Sequence, residues 1–398
     1  MPGSAGTCRI LLARDRHLAR CRADASPAAP SHALLTFIFP SMTHREVRFP
    51  NTVPDIHRPW QAAADRYSHH AYRRVGSSGL LLPPISLGLW WNFGDEHPFS
   101  RQRDILTHAF DRGITHFDLA NNYGPPHGAA EENFGRLLRN EFRPYRSELV
   151  VSTKAGWPHW PGPYGNFGSR KYLINSLDES LRRLSTDYVD IYYSHRVDPD
   201  TPIEETIGAL DTVVRQGKAL YVGISSYSAE RTQRAVEFAR SLGTPLVIHQ
   251  PAYSLLNRWV ENGLLDTLEQ TGLGLIAFTP LAQGLLTDRF LQDRNAAHAS
   301  KRFSFDASHL SEDNLRRLRD LAAIARARGQ TLAQLAIAWL LRNHRVSSVL
   351  VGASSTAQLD ENLAALANTA FSTEELQAID QAVQGDSGIN LWAQSSDL

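Results

Sequence analysis

The sequence predicts an α/β protein folded as a closed (β/α)8 barrel, the TIM-barrel arrangement. Three observations carry that reading. Short apolar runs alternate with longer amphipathic stretches eight times from about residue 72 onward. The runs are almost continuously apolar, as strands covered on both faces are, and strict alternation of strand with helix implies parallel pairing. Eight such units in a chain of this length point to closure rather than to an open sheet.

The elements follow in order. "YRRVGSSGLLLP" (72–83) reads as an N-terminal β-hairpin turning at Ser77-Ser78-Gly79, a plug for the barrel bottom. The strand runs are "ISLGLW" (85–90), "THFDLA" (115–120), "LVVSTK" (149–154), "YVDIYYSH" (188–195), "LYVGISS" (220–226), "LVIHQP" (246–251), "LGLIAFTP" (273–280) and "VSSVLVGA" (346–353). Helical periodicity fills 100–112, 129–140, 170–184, 202–216, 228–242, 260–271, 311–342 and 356–368. Long loops follow the third strand (155–169) and the seventh (281–310), and long loops in a compact domain are usually functional. No linker divides the stretch, so residues 61–398 form one barrel domain, and the tail "GINLWAQSSDL" is short enough to fold over it.

Residues 1–60 are read as a disordered or mistranslated extension. Residues 1–41 are rich in Arg, Ala and Pro without periodicity, and Met42 is the expected true start. The apolar run "ALLTFIF" (33–39) is far short of the roughly 20 residues that cross a bilayer, and no small-residue cleavage site follows it. The 41 basic and 41 acidic residues cancel, which leaves no electrostatic footprint for nucleic acid or an anionic membrane. A small-molecule partner fits better. Cys8 and Cys21 are the only cysteines, so neither a disulfide framework nor a thiolate metal site is expected, and a reducing, cytoplasmic setting suits the chain.

The chemistry concentrates at strand ends. In such barrels the active site lies at the carboxyl ends of the strands. Asp118 ends the second run, Tyr123 follows it in "FDLANNYGPPHG" (117–128), Lys154 ends the third, and His195 ends the fourth. Strands about 4.8 Å apart let these side chains converge. Taken singly, each has a plain structural reading: a packed histidine, an ion pair, ordinary turn chemistry around Asn121, Asn122, Gly124, Pro125 and Pro126. Taken together they describe a machine. A buried lysine needs a charged partner, for which Asp118 is nearest. A cation beside Tyr123 would lower its pKa, so that it protonates a developing alkoxide, with His195 donating to the substrate carbonyl. That is carbonyl reduction by hydride transfer, and the hydride must come from a cofactor. "GLGLIA" (272–277) precedes a strand rather than following one, so it is no dinucleotide fingerprint; phosphate-loop and metal-ligand spacings are absent, and no metal is expected. The barrel loops must hold the cofactor.

The chain resembles the aldo-keto reductases through "FDLANNYG", "STKAG", "YSHR", "VGISSY", "HQPAYSLL" and "FTPLAQGLL". The resemblance, over about residues 65–398, is to the branch holding the potassium-channel β subunits and the bacterial L-glyceraldehyde-3-phosphate reductases, the latter through "GPPHGAAEENFGRLL", "WPGPYGNFGSRKYL" and "NLWAQSSDL". It implies NADPH-dependent reduction of small aldehydes, of the glyceraldehyde 3-phosphate or methylglyoxal type, with Asp118, Tyr123, Lys154 and His195 as catalytic tetrad. It assigns Ser225 and Gln250 to the cofactor carboxamide, Phe278 to the nicotinamide ring, and Thr279, Pro280, Leu281, Gln283 and Gly284 to the pyrophosphate, with Trp90 a further cofactor contact. Gly352, Ser354, Gln358, Glu361 and Asn362 fall to the adenosine end; the alternative for Gln358 and Asn362 is a solvated helix face. A helix beginning near Ser355 or Thr356 suits an anion in any case.

Where relatives of this kind carry Gly-Lys, this chain has Asp288-Arg289. Arg289 can grip a 2′-phosphate, Asp288 would repel it, and Lys301 or Arg302 is a candidate second cation. Substrate-pocket candidates are Trp90, Trp91, Phe93, Trp157, Trp160 and Tyr164, with loop packing as the alternative. Arg196 is a candidate for a substrate phosphate or carboxylate, or a partner for Asp198 or Asp200. The resemblance also implies homo-oligomers, tetramers or octamers. A second reading is an NADPH-holding redox sensor resembling a channel β subunit, with little turnover. A third, a Schiff-base enzyme, needs Lys154 free of Asp118.

Overall fold

The computed structural model describes residues 60–292, 307–385, 387–389 and 392, all within the compact unit Arg58–Leu398. The cysteines, Met42 and the expected extension up to residue 59 lie outside the described residues, as do Lys301 and Arg302.

Two short antiparallel strands come first, β1 (Arg73–Arg74) and β2 (Leu81–Leu82). They are followed by β3 (Ile85–Gly88), β4 (His116–Asp118), β5 (Val150–Ala155), β6 (Val189–Ser194), β7 (Ala219–Ser225), β8 (Leu246–Gln250), β9 (Gly274–Ala277) and β10 (Val346–Val351). These pair in chain order, all parallel, and β10 returns to β3 to close the barrel. The helices are α1 (Phe99–Asp111), α2 (Ala129–Asn140), α3 (Arg170–Leu184), α4 (Ile203–Arg215), α5 (Ala229–Leu242), α6 (Leu264–Thr271), α7 (Arg289–Gln292), α8 (Glu312–Ala327), α9 (Leu332–Leu341), α10 (Thr356–Leu363) and α11 (Thr373–Ala382). Among the described residues no helix is long and apolar enough to cross a membrane.

Strand alternation makes two cores. Phe117, Val151, Tyr192, Val222 and Leu275 join the helix faces in the outer layer. Ile191, Tyr193, Ile248, Ile276 and Leu350 pack with Val75 and Leu82 of the hairpin as a second, inner cluster. The hairpin therefore plugs the barrel as expected. Its turn needs Gly76 at φ +53°, where a Cβ would lie 2.1 Å from the carbonyl oxygen of Gly272, so only glycine lets the turn sit this close.

Helix starts follow side-chain capping. Ser169, Ser228 and Ser355 accept the amide N–H of Tyr172, Arg231 and Gln358 at the starts of α3, α5 and α10. Three expectations change. The single helix at 311–342 is two, because Gly329 turns at φ +67° and Thr331 with Gln334 opens α9 in a capping box. The helix at 260–271 begins with a 3-10 turn at Trp259–Glu261 and restarts after Gly263. Helix α11 was not expected from periodicity, though Ser372 and Glu375 cap it reciprocally.

The seam where β10 meets β3 is stitched by side chains. Arg73 donates to the carbonyls of Val346 (2.8 Å) and Leu341 (3.0 Å), Asn92 to that of Ala353 (3.0 Å), and Arg101 to that of Ser354 (Nε, 2.7 Å). His108 meets Asp360 at 3.0 Å.

Candidate active site

Asp118 is the last residue of β4, and parallel register sets it beside Ser152 of β5. Lys154, one residue before the end of β5, lies two positions further along the same inward face. Both side chains are fully buried, and Lys154 Nζ donates to Asp118 Oδ2 at 2.5 Å. Its other protons go to the carbonyl of Leu119 (2.7 Å) and toward the Tyr123 hydroxyl (3.5 Å). Asp118 Oδ1 accepts from Ser152 Oγ (2.6 Å) and Gln250 Nε2 (3.3 Å). The carboxylate is thus satisfied on both oxygens, which a buried charge requires.

Tyr123 is held by its backbone: its N–H donates to Ala120, and its carbonyl accepts from Gly128 and Ala130 as α2 begins. Its ring meets His195, just past β6, edge-on at 5.9 Å. Nδ1 of His195 is buried with no hydrogen-bond partner among the described residues, so the ring can engage a ligand only through Nε2. Burial, reinforced by the charges of Lys154 and Arg196, pushes the His195 pKa well below its usual value, leaving the imidazole neutral.

The tyrosine departs from expectation. Its pKa lies well above the ordinary value, first because burial penalises the phenolate and second because Asp118 repels it. The nearby ammonium does not dominate, since its charge is largely matched by the carboxylate it touches. Burial also lowers the Lys154 pKa, against the opposing pull of Asp118.

Aromatic rings wall the site. Trp90 lies 6.3 Å from Tyr123 and 5.8 Å from Trp91, and Trp157 lies 6.3 Å from His195. Trp392 packs edge-on to Trp90, Trp157 and Phe278 at 5.9 to 6.0 Å. The short tail and the stretch "NLWAQSSDL" hinted at this closing residue without placing it. Three pocket candidates belong elsewhere. Phe93 is buried in the outer core, Trp160 packs on Tyr172, and Tyr164 is exposed beside Lys171; large rings bury area wherever packing offers it.

Arg196 pairs with neither Asp198 nor Asp200. Its guanidinium lies between the rings of Trp157 (4.2 Å) and Phe167 (4.1 Å), donating from Nε to Gly156 O and from Nη2 to Asn166 Oδ1, both at 2.8 Å. Asp198 instead accepts backbone N–H groups of Gly168, Asp200 and Thr201.

Apart from Trp90, which follows β3, and Arg289 in α7, the expected cofactor residues lie at or just beyond the ends of β7 to β10. Ser225 and Gln250 end β7 and β8, buried, with Ser225 Oγ donating to the Gln250 carbonyl at 2.7 Å. Phe278 follows β9, half-buried. In the next segment Thr279, Ala282 and Gln283 hold left-handed φ of 51°, 45° and 58°, with Gly284 at 100°. Pro280 and Leu281 lie inside that segment. Non-glycine residues in this region cost about 1–3 kcal/mol each and cluster where function needs them. Past β10, Gly352 is exposed, and Gln358 Oε1 accepts the Ser354 N–H (2.7 Å) and hydroxyl (2.9 Å). Asn362 is no solvated-face residue: it is buried, and its Nδ2 has no partner among the described residues. Glu361 is exposed. Arg289 is exposed at the start of α7, with Asp288 half-buried before it. An orphaned donor, a left-handed segment and a capped helix start along one rim fit a polar, anionic dinucleotide.

Residues 84–384 match the model described as the Aldo/keto reductase family. The chain is 59% identical over 344 residues to the L-glyceraldehyde 3-phosphate reductase of Escherichia coli strain K12, covering 85% of this chain and 99% of the relative. The L-glyceraldehyde 3-phosphate reductase of Escherichia coli O157:H7 is 58% identical over the same length. A probable voltage-gated potassium channel subunit beta of Arabidopsis thaliana is 38% identical over 303 residues, 74% of this chain and 90% of that one.

Proposed function

Because the chain belongs to the aldo/keto reductase family, and is an oxidoreductase of carbonyl groups, we propose that it reduces small aldehydes with NADPH, glyceraldehyde 3-phosphate and methylglyoxal among them. The observation that carries this reading is the buried Lys154–Asp118 pair, with the Tyr123 hydroxyl 3.5 Å from the ammonium. NADPH, when bound, supplies the hydride. Ser225, Gln250, Phe278, the 279–284 segment, Ser354 and Asn362 would hold it. Tyr123, protonated because its pKa is raised, gives its proton to the carbonyl oxygen; neutral His195 donates from Nε2 to the same oxygen; Lys154 and Asp118 fix the phenol and its field. Trp90, Trp157 and Trp392 exclude water. The barrel domain is 61–398, and the cytoplasm suits a catalytic unit without cysteine.

Arg196 gives the substrate reading its shape. Two of its nitrogens fix the loop after β5, while Nη1 has no hydrogen-bond partner among the described residues and can meet a substrate phosphate. NADPH oxidation at 340 nm is the test. Turnover is expected with both aldehydes, and Arg196→Lys should raise KM for glyceraldehyde 3-phosphate by about tenfold or more, the worth of a charge-assisted hydrogen bond, while sparing methylglyoxal. NADPH binding without turnover of any short aldehyde would favour the sensor reading, to which the relatives named as channel subunits lend support.

Cofactor choice follows from Asp288-Arg289. An arginine fork favours the 2′-phosphate, while a like charge a few ångströms off costs on the order of 1 kcal/mol. NADPH should win over NADH in fluorescence titrations. Asp288→Gly should widen that margin and Arg289→Ala narrow it; equal affinities, unmoved by either change, would place both residues away from the adenosine ribose.

A further inference from the structure

The barrel interior is not uniform. The arc from β6 round to β10 is lined by Ile191, Tyr193, Ile248, Ile276 and Leu350. The arc from β10 through β3 and β4 to β5 instead carries Ser348, Ser86, His116 and Ser152, each fully buried. Hydrocarbon in their place would fill the barrel without four polar groups to satisfy. They touch in series: Ser348 Oγ to Ser86 Oγ at 2.7 Å, Ser86 Oγ to His116 Nδ1 at 2.9 Å, His116 Nε2 to Ser152 Oγ at 3.0 Å, and Ser152 Oγ to Asp118 Oδ1 at 2.6 Å.

We propose that this series is a one-way hydrogen-bond chain that holds the Asp118 carboxylate, making Ser152 and His116 positioning residues for the Lys154–Tyr123 pair. The inference rests on the reductase reading for its kinetic consequence. The direction follows from proton counting. A carboxylate only accepts, so the Ser152 hydroxyl must donate to Asp118. Ser152 has no second proton, so His116 Nε2 must carry one and donate to it. A neutral imidazole then accepts at Nδ1, from Ser86, and Ser86 accepts from Ser348. The second contact of Ser348, to the Pro84 carbonyl, is long at 3.4 Å, as expected if its proton is spent on Ser86. Burial keeps His116 neutral by lowering its pKa to about 4, with Asp118 pulling upward and Lys154 downward. Every dipole in the series therefore points its positive end at Asp118 Oδ1, which leaves Oδ2 for Lys154. Aligned dipoles of this kind reinforce one another in a low-dielectric interior.

Two kinds of measurement test it. Nitrogen-15 NMR of the full chain labelled at histidine, with His116 assigned by its loss in His116→Gln, should show the neutral Nε2–H tautomer at pH 7. The infrared carboxylate band of Asp118, assigned by Asp118→Asn, should shift in Ser152→Ala and His116→Phe and stay in place in His116→Gln, whose amide both donates and accepts. With an aldehyde and NADPH, Ser152→Ala and His116→Phe should lower kcat by about tenfold or more, while NADPH affinity and KM change by less than about twofold, since only the orientation of the reacting groups is lost. His116→Gln should recover kcat to within about threefold, because the donor and acceptor are restored. Melting temperatures separate this pattern from loss of fold. An Nδ1–H tautomer, an imidazolium, an unmoved Asp118 band in Ser152→Ala, or native kcat in that variant would each overturn the proposal. The spectroscopic results need no turnover, so they judge the chain even if no aldehyde is reduced and the functional reading falls.

Discussion

Tyr123→Phe will bind NADPH as the native chain does and reduce aldehydes roughly 100- to 10,000-fold more slowly, the usual worth of a positioned general acid. The substitution removes one hydroxyl and nothing else. The ring keeps its contacts with Trp90 and His195, and the backbone hydrogen bonds that seat residue 123 do not involve the side chain. Folding stability should hardly move. Steady-state kinetics beside a fluorescence titration decide: a loss in kcat below tenfold means that another group delivers the proton. The raised pKa of Tyr123 and the lowered pKa of His195 add a signature. Both groups stay in their working, neutral forms between about pH 6.5 and pH 10, so neither should bend the reductive kcat of the native chain inside that window. A fall centred on pH ~8 would mean that the ammonium prevails over burial once cofactor and substrate are in place.

Lys154→Met is expected to damage both fold and turnover. The ammonium makes a 2.5 Å ion pair with Asp118 while both side chains are shut off from water. Methionine fills the space but leaves the carboxylate alone in the barrel with only Ser152 and Gln250 donating to it. Breaking a buried pair from one side costs about 3–5 kcal/mol. Without the cation, the phenol meets the charge of Asp118 unopposed, and its pKa rises further. Denaturant melts should show the stability loss. In Asp118→Asn/Lys154→Met much of it should return, since the unpaired charge is gone, while kcat stays low. A double variant as unstable as the single would place the cost elsewhere. The same geometry speaks against Schiff-base chemistry: Nζ is committed to Asp118, Leu119 and Tyr123, so borohydride with an aldehyde should leave no adduct at Lys154.

The strands were legible because they are buried on both faces, and a two-face strand is a run of apolar residues with hard edges. Residues two apart also share a face, which already put Asp118 with His116 and Lys154 with Ser152. That pairing was open to view in "THFD" and "VVSTK", yet the eye follows the charged member of each pair. The break between α8 and α9 was written in "RGQTLAQ", with Gly329 to stop one helix and Thr331 with Gln334 to start the next, but continuous amphipathicity on either side hid it. What no local pattern holds is distance. Trp392 reaches Trp90 and Trp157 across most of the chain. Arg101 reaches Ser354 the same way. Phe93 read as a pocket residue because loop aromatics usually face outward, whereas here the loop carries it inward to the outer core. The tyrosine pKa failed for a related reason: spacing reveals a neighbouring cation, and only packing reveals how little water remains.

The stitched seam between β10 and β3 carries a consequence for the order in which the molecule is assembled. Its contacts join residues 252 to 273 positions apart, whereas each interior strand pairs with the next one along. Successive units can associate while the intervening chain is short, but the seam must wait until β10 has been made, and bringing such distant segments together carries a larger closure entropy than pairing any two successive strands. Until then β3 and β9 present open edges with unpaired backbone groups, the surfaces on which another chain can add. The hairpin sits beside that seam. Made early, it already holds Arg73, whose two donors wait for the carbonyls of Val346 and Leu341, so the last strand arrives at a waiting clasp.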